Sequence, residues 1–148
     1  MTIEQPTLTN KLNAPDHSLM HRQIATDPSA PAKSLVVSST GNTGAGTETP
    51  NSRLHSIGSF ATGYVEKTAA YTLDETDSIV CCNTNSFNIT LPTAVGITGR
   101  VYSIKNTGTG TITVDGDGTE TIDGDLTTTV EQYENIKIMS NGANWIVI

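Results

Sequence analysis

The stretch Phe87-Asn88-Ile89-Thr90-Leu91-Pro92 decides the fold class. Phe87, Ile89 and Leu91 fall at every second position, with Asn88 and Thr90 between them. An extended chain therefore carries three apolar groups on one face and two polar groups on the other. Pro92 has no N–H to give to a ladder and stops the strand. This is the pattern of a short, half-buried β-strand.

Working outward, similar runs recur at intervals of about 8–12 residues, the spacing of a sandwich or barrel. They are Tyr71–Leu73, Ile79–Cys82, Val101–Lys105, Thr111–Val114, Leu126–Val130, Asn135–Met139 and Trp145–Ile148. No segment keeps a convincing helical period. The expectation is an all-β chain whose residues 61–148 form an antiparallel β-sandwich or jelly-roll-like module.

Composition agrees and adds a hint of assembly. Only 35% of the 148 residues are hydrophobic and 5% aromatic, with Thr, Gly, Asn and Ser filling the rest. Thr favours pleated strands, and Gly and Asn favour tight turns. A core this thin suggests that part of the burial occurs between chains. The adjacent Cys81 and Cys82 would point to opposite faces of a strand, so they are expected as free thiols rather than a disulfide.

The net charge of −7 is unevenly distributed. In residues 1–60 the four basic side chains (Lys11, Arg22, Lys33, Arg53) balance four acidic ones (Glu4, Asp16, Asp27, Glu48), so the whole excess lies in 61–148. There is no basic stripe of the kind a phosphate backbone needs, which argues against nucleic-acid binding. No apolar run reaches membrane length, and the N-terminus has neither a basic nor an apolar leader region, so a soluble chain made in the cytoplasm is expected.

Residues 1–33 hold Pro6, Pro15, Pro28 and Pro31 and no sustained period, which predicts an extended arm that is laid along a partner or left unfolded. Residues 34–60 read as a short collar. A strand at 34–39 is followed by the glycine-rich stretch 41–50 as a loop, then by a second strand over Arg53–Ile57 closed by Gly58. Two such strands form a marginal unit that needs outside contacts.

The residues also carry a resemblance. Leu91-Pro92, Gly96, the run Gly99-Arg100-Val101-Tyr102-Ser103-Ile104-Lys105-Asn106, Glu120-Thr121-Ile122-Asp123-Gly124 and Asn141-Gly142-Ala143-Asn144-Trp145 occur in this order. Together they resemble a β module recurrent in phage tail-fibre and head-fibre proteins. Gly41-Asn42, Gly44-Ala45-Gly46-Thr47, Pro50, Arg53-Leu54-His55 and Gly58 look like the short repeat of phage fibres and related surface proteins, with Ala45 standing where that repeat usually has a larger aliphatic residue. The resemblance implies a homotrimer on a virus particle.

Candidate sites are few. Gly41 and Gly46-Thr47 mimic a phosphate-binding loop, but no Lys precedes Thr47 and Pro50 forbids the following helix. In the acidic stretch 115–125, Asp115, Asp117, Asp123 and Asp125 are the only plausible calcium ligands. The EF-hand pattern fails there, and Asp-Gly pairs mark hairpin turns that need no ion, so solvated turns are the preferred reading. On the arm, His17, Leu19, Met20, His21 and Arg22 are the candidate partner contacts. His17 and His21 stand four apart and would share one face of a short helix, but no third metal ligand accompanies them. No nucleophile elbow is present. Trp145, Tyr102 and Tyr133 read as core or interface residues rather than the lining of a glycan-cleaving groove.

The expectation is a structural protein of a bacteriophage virion, not an enzyme and without a cofactor. It would be a short trimeric fibre or decoration protein on the virion surface. The arm would bind the major capsid or tail protein, residues 34–60 would form a trimeric collar, and 61–148 would project. The rival reading is a host-attachment protein whose turns at 115–125 and 140–144 recognise a cell-surface glycan.

Overall fold

The computed structural model describes residues 35–148, and the chain divides into two compact units after Phe60. The expected arm and its contacts His17, Leu19, Met20, His21 and Arg22 lie outside the described residues. Every regular element among the described residues is a strand, so the described part of the chain is all-β.

The first unit is a three-stranded sheet of β1 (Leu35–Val37), β2 (Thr43–Ala45) and β3 (Leu54–Ser56), in that spatial order. Strands β1 and β2 are antiparallel, and β2 and β3 are parallel. Strand β2 lies inside the stretch expected to be a loop, where glycine content hides a pairing segment. At its centre, Gly44 is buried, and a Cβ there would sit 2.5 Å from the Thr47 carbonyl oxygen. Glycine is needed because Thr47 folds back over the strand.

The second unit comprises β4 (Tyr64–Lys67), β5 (Tyr71–Thr72), β6 (Ile79–Cys82), β7 (Phe87–Thr90), β8 (Val101–Asn106), β9 (Ile112–Asp115), β10 (Thr127–Val130), β11 (Asn135–Ser140) and β12 (Trp145–Val147). They form two sheets, ordered β12-β11-β8-β6-β4 and β10-β9-β7-β5. The expected antiparallel sandwich or jelly roll is corrected here, because both sheets are mixed. Strands β4, β6 and β8 run parallel, as do β5, β7 and β9. From β4 to β9 the chain changes sheet after each strand, and a strand in the opposite sheet supplies the long crossover that parallel neighbours require. Only then does the direction reverse, with β10 antiparallel to β9 and β11 antiparallel to both β8 and β12.

Strand pairing accounts for the alternation at 87–91. Phe87 pairs with Ile112 and Ile89 with Val114, and Ile89, Ile112 and Val114 are fully buried between the sheets. Leu91 continues the row, its N–H donating to the Asp115 carbonyl at 2.8 Å. Val80, Cys82, Tyr102, Ile104, Val130, Ile138 and Trp145 complete the core from the facing side and the closing strands. Tyr102 and Trp145 contact with ring centroids 5.7 Å apart, and the Tyr102 hydroxyl donates to the Asp74 carbonyl at 2.9 Å. Among the described residues the indole Nε1 of Trp145 is the one buried side-chain polar atom without a protein partner.

The module has two ends. At one, the segments 73–78, 91–100, 116–126 and 141–144 meet through bonds such as Gly99 N–H to Ser140 O and Trp145 N–H to Thr121 O. At the other, the tight turns 83–86, 107–111 and 131–134 are joined by Thr107 and Gly108 N–H to Cys82 O, Thr109 N–H to Thr84 O and Tyr133 N–H to Asn106 O.

Candidate functional site

The collar presents the most unusual surface. Its register places Val36, Gly44 and His55 side by side on one face, and Val37, Thr43 and Leu54 beside Leu35, Ala45 and Ser56 on the other. The first face is covered: Val36 is buried, Thr47 folds over Gly44, and Asn51 donates its N–H to His55 Nδ1 at 3.4 Å. The second is not covered by any layer among the described residues. Leu54 is 64% exposed, and Ile57 and Phe60 just after β3 are 62% and 75% exposed. The sequence placed Leu54 and Ile57 on a strand but could not say which face lacked a cover. Spacing alone does not give that.

The acidic end is held together internally. Glu120 accepts the Thr93 hydroxyl at 2.6 Å and the Ala94 N–H at 2.7 Å. Asp123 and Gly124 both have positive φ, 51° and 101°, and Ile122 and Asp125 exchange backbone hydrogen bonds across them. That is the tight Asp-Gly hairpin expected from the sequence. Asp123 Oδ1 also accepts the Val147 N–H at 3.1 Å. Asp115 lies on β9 and Asp117 in the next turn, and among the described residues no three acidic, His or Cys side chains are grouped to hold a metal. The structure thus does not bring Asp115, Asp117, Asp123 and Asp125 together as a calcium site.

The 140–144 turn behaves alike. Asn141 Oδ1 accepts the N–H groups of Ala143 and Asn144 at 3.0 and 2.9 Å. Asn144 Oδ1 accepts the Thr121 N–H and hydroxyl at 2.8 and 3.1 Å. The residues that carried the resemblance at this end therefore tie loops to each other.

Of the three aromatics read as core or interface, Trp145 and Tyr102 are core, whereas Tyr133 is 70% exposed. The two free thiols fall on opposite faces of β6, as alternation requires. Cys82 faces the core, and Cys81 lies on the outer face with its thiol 3.2 Å from the Thr107 hydroxyl. Desolvation pushes the Cys82 thiol up to about 11. Tyr64, whose hydroxyl donates to Glu66 at 2.8 Å, is raised above the usual tyrosine range, chiefly by that bond.

Comparison with family models, with curated proteins and with solved structures finds no match for this chain.

Proposed function

We propose that this chain is a structural protein of a bacteriophage virion. It is a short trimeric fibre or decoration protein whose arm, residues 1–33, binds the capsid or tail protein while the module 61–148 projects from the surface. The observation that carries this reading is the uncovered apolar face of the collar. Leu54 on the open face of β3, and Ile57 and Phe60 in the segment that follows it, are exposed beside a sheet of three-residue strands, too slight to stand alone and too apolar to remain in water. Two further copies of the same face around a threefold axis supply the missing layer. The neutral first 60 residues and the acidic remainder suit an anchor joined to a solvated projection.

The test is the mass of the full chain in solution beside that of a Leu54→Ser, Ile57→Ser, Phe60→Ser triple variant. A trimer that falls to monomer in the variant is expected. A monomeric parent, or a trimer indifferent to the substitutions, overturns the collar as the trimer contact. Deleting residues 1–33 should abolish incorporation into particles while leaving a soluble trimer; normal incorporation of the deleted form overturns the anchor.

A further inference from the structure

We propose that the tight-turn end of the module is a binding site for a neutral glycan, with Tyr133 as its aromatic platform.

Tyr133 occupies the third position of the turn 131–134, closed by Glu134 N–H to Glu131 O at 3.0 Å, with φ of 65°. Turns with positive φ at this position favour Gly or Asn, and a bulky side chain there is an outlier. The conformation is imposed from outside: the Tyr133 N–H donates to the Asn106 carbonyl at 2.9 Å, and the Tyr133 carbonyl accepts the Lys105 ammonium. The ring contributes little to the core, being 70% exposed. Folding alone would be better served by glycine, so the ring is retained for an outside contact.

The surroundings specify the ligand. Gly108 and Gly110 pack so closely against Thr84 and Ser86 that neither has room for a Cβ, which makes the turns a rigid base. Around them, the side chains of Asn83, Thr109 and Gln132 form no hydrogen bond among the described residues, in contrast to the occupied Asn141 and Asn144 at the opposite end. The ionic groups are engaged. Glu131 accepts the Thr111 hydroxyl at 2.7 Å, Glu134 accepts the Glu131 N–H at 3.3 Å, and Lys105 is held by Tyr133.

What remains free is one aromatic ring with amides and a hydroxyl, a set suited to the C–H face and vicinal hydroxyls of a sugar rather than to a charged ligand. The turn bearing Tyr133 precedes β11, and Asn83 follows β6, on the far side of β8. Two strand spacings, roughly 10 Å, separate them, about the length of a disaccharide.

The inference does not rest on the virion reading, since it concerns the isolated chain and requires no particle. The full chain, Tyr133→Phe and Tyr133→Gly are compared on a printed array of bacterial surface polysaccharides and simple neutral oligosaccharides, with thermal unfolding measured in parallel. We expect binding to neutral saccharides that Tyr133→Phe preserves and Tyr133→Gly weakens by about tenfold or more, the scale of one aromatic contact. Tyr133→Gly should unfold at a higher temperature than the parent, which separates loss of binding from loss of fold. Absence of binding by the parent chain, or undiminished binding by Tyr133→Gly, overturns the proposal. Binding confined to acidic saccharides overturns the assignment to a neutral ligand.

Discussion

Glu120 holds the backbone of Ala94 across the end of the module, its carboxylate accepting the Ala94 N–H at 2.7 Å from 26 residues along the chain. The second carboxylate oxygen takes the Thr93 hydroxyl, so one side chain fixes the segment between β7 and β8 to the hairpin after β9. Hydrogen bonds to a charged acceptor are worth about 1.5–3 kcal/mol. Glu120→Ala should lower the stability measured by urea unfolding by roughly 2–3 kcal/mol, and Glu120→Gln by less than half of that, since an amide still accepts one of the two bonds. Equal stability of the parent and Glu120→Ala would show that the clamp is dispensable.

Asn106 is wholly buried and fully partnered: Nδ2 donates to Gly110 O at 2.7 Å and Val130 O at 2.9 Å, and Oδ1 accepts the Gly108 N–H at 2.9 Å. An aspartate has the same shape but would turn an oxygen toward two carbonyls. We expect Asn106→Asp to cost about 3–5 kcal/mol, as for a buried charge that loses its complement. Thermal unfolding near neutral pH decides this, and a shift of only a degree or two would contradict the hydrogen-bond assignment.

The Cys82 thiol, raised to about 11 by burial, makes alkaline stability a prediction. The folded state holds this proton more tightly than the unfolded chain. Its contribution is therefore fully present below an unfolded thiol pKa of about 8.5 and is lost as pH rises from there toward about 11. Cys82→Ala or Cys82→Val should flatten that decline in unfolding curves recorded across the alkaline range. In the parent, a thiol reagent at neutral pH should label Cys82 only after denaturant is added.

Asp74 gives the opposite sign. Bonds from the Thr76 hydroxyl at 2.6 Å and the Thr76 N–H at 2.8 Å hold its carboxyl below the usual range. A depressed carboxylate stabilises the fold above its unfolded pKa, and that contribution disappears as pH falls through the folded value. Thr76→Ala should lower stability at neutral pH, where the depressed carboxylate contributes fully, and so make the acid-side loss shallower, with little change at the acid extreme. An unchanged acid limb would mean that the turn is not held by this carboxylate.

The period-two alternation at Phe87, Ile89 and Leu91 was sufficient to identify strands and their buried faces, because pleating alone fixes it. The direction of pairing was not legible. Whether β6 lies beside β7 or beside β8 depends on which sheet the chain enters next, and no local residue encodes that choice. Strand β2 was hidden because Gly44 and Gly46 look like a loop until Thr47 is seen folding over Gly44. Asp123-Gly124 was readable as a turn, since its positive φ angles demand those residue types. The exposure of Leu54, Ile57, Phe60 and Tyr133 was not readable, because an apolar residue looks the same in sequence whether its cover comes from its own chain or from another molecule.

The winding of the second unit has a consequence for how the molecule is made. Strands β4 to β9 wind between the sheets in order, but β8 acquires its second neighbour only when β11 arrives, and Trp145, which packs against Tyr102, comes later still. The pairings that close the module join early segments to late ones, which slows folding and leaves early intermediates with open edges. On the ribosome, therefore, the β11–β12 pairing and the Tyr102–Trp145 contact form only once β12 has emerged. A chain interrupted before Trp145 lacks β12 and leaves the β11 edge and the Tyr102 ring without their partners.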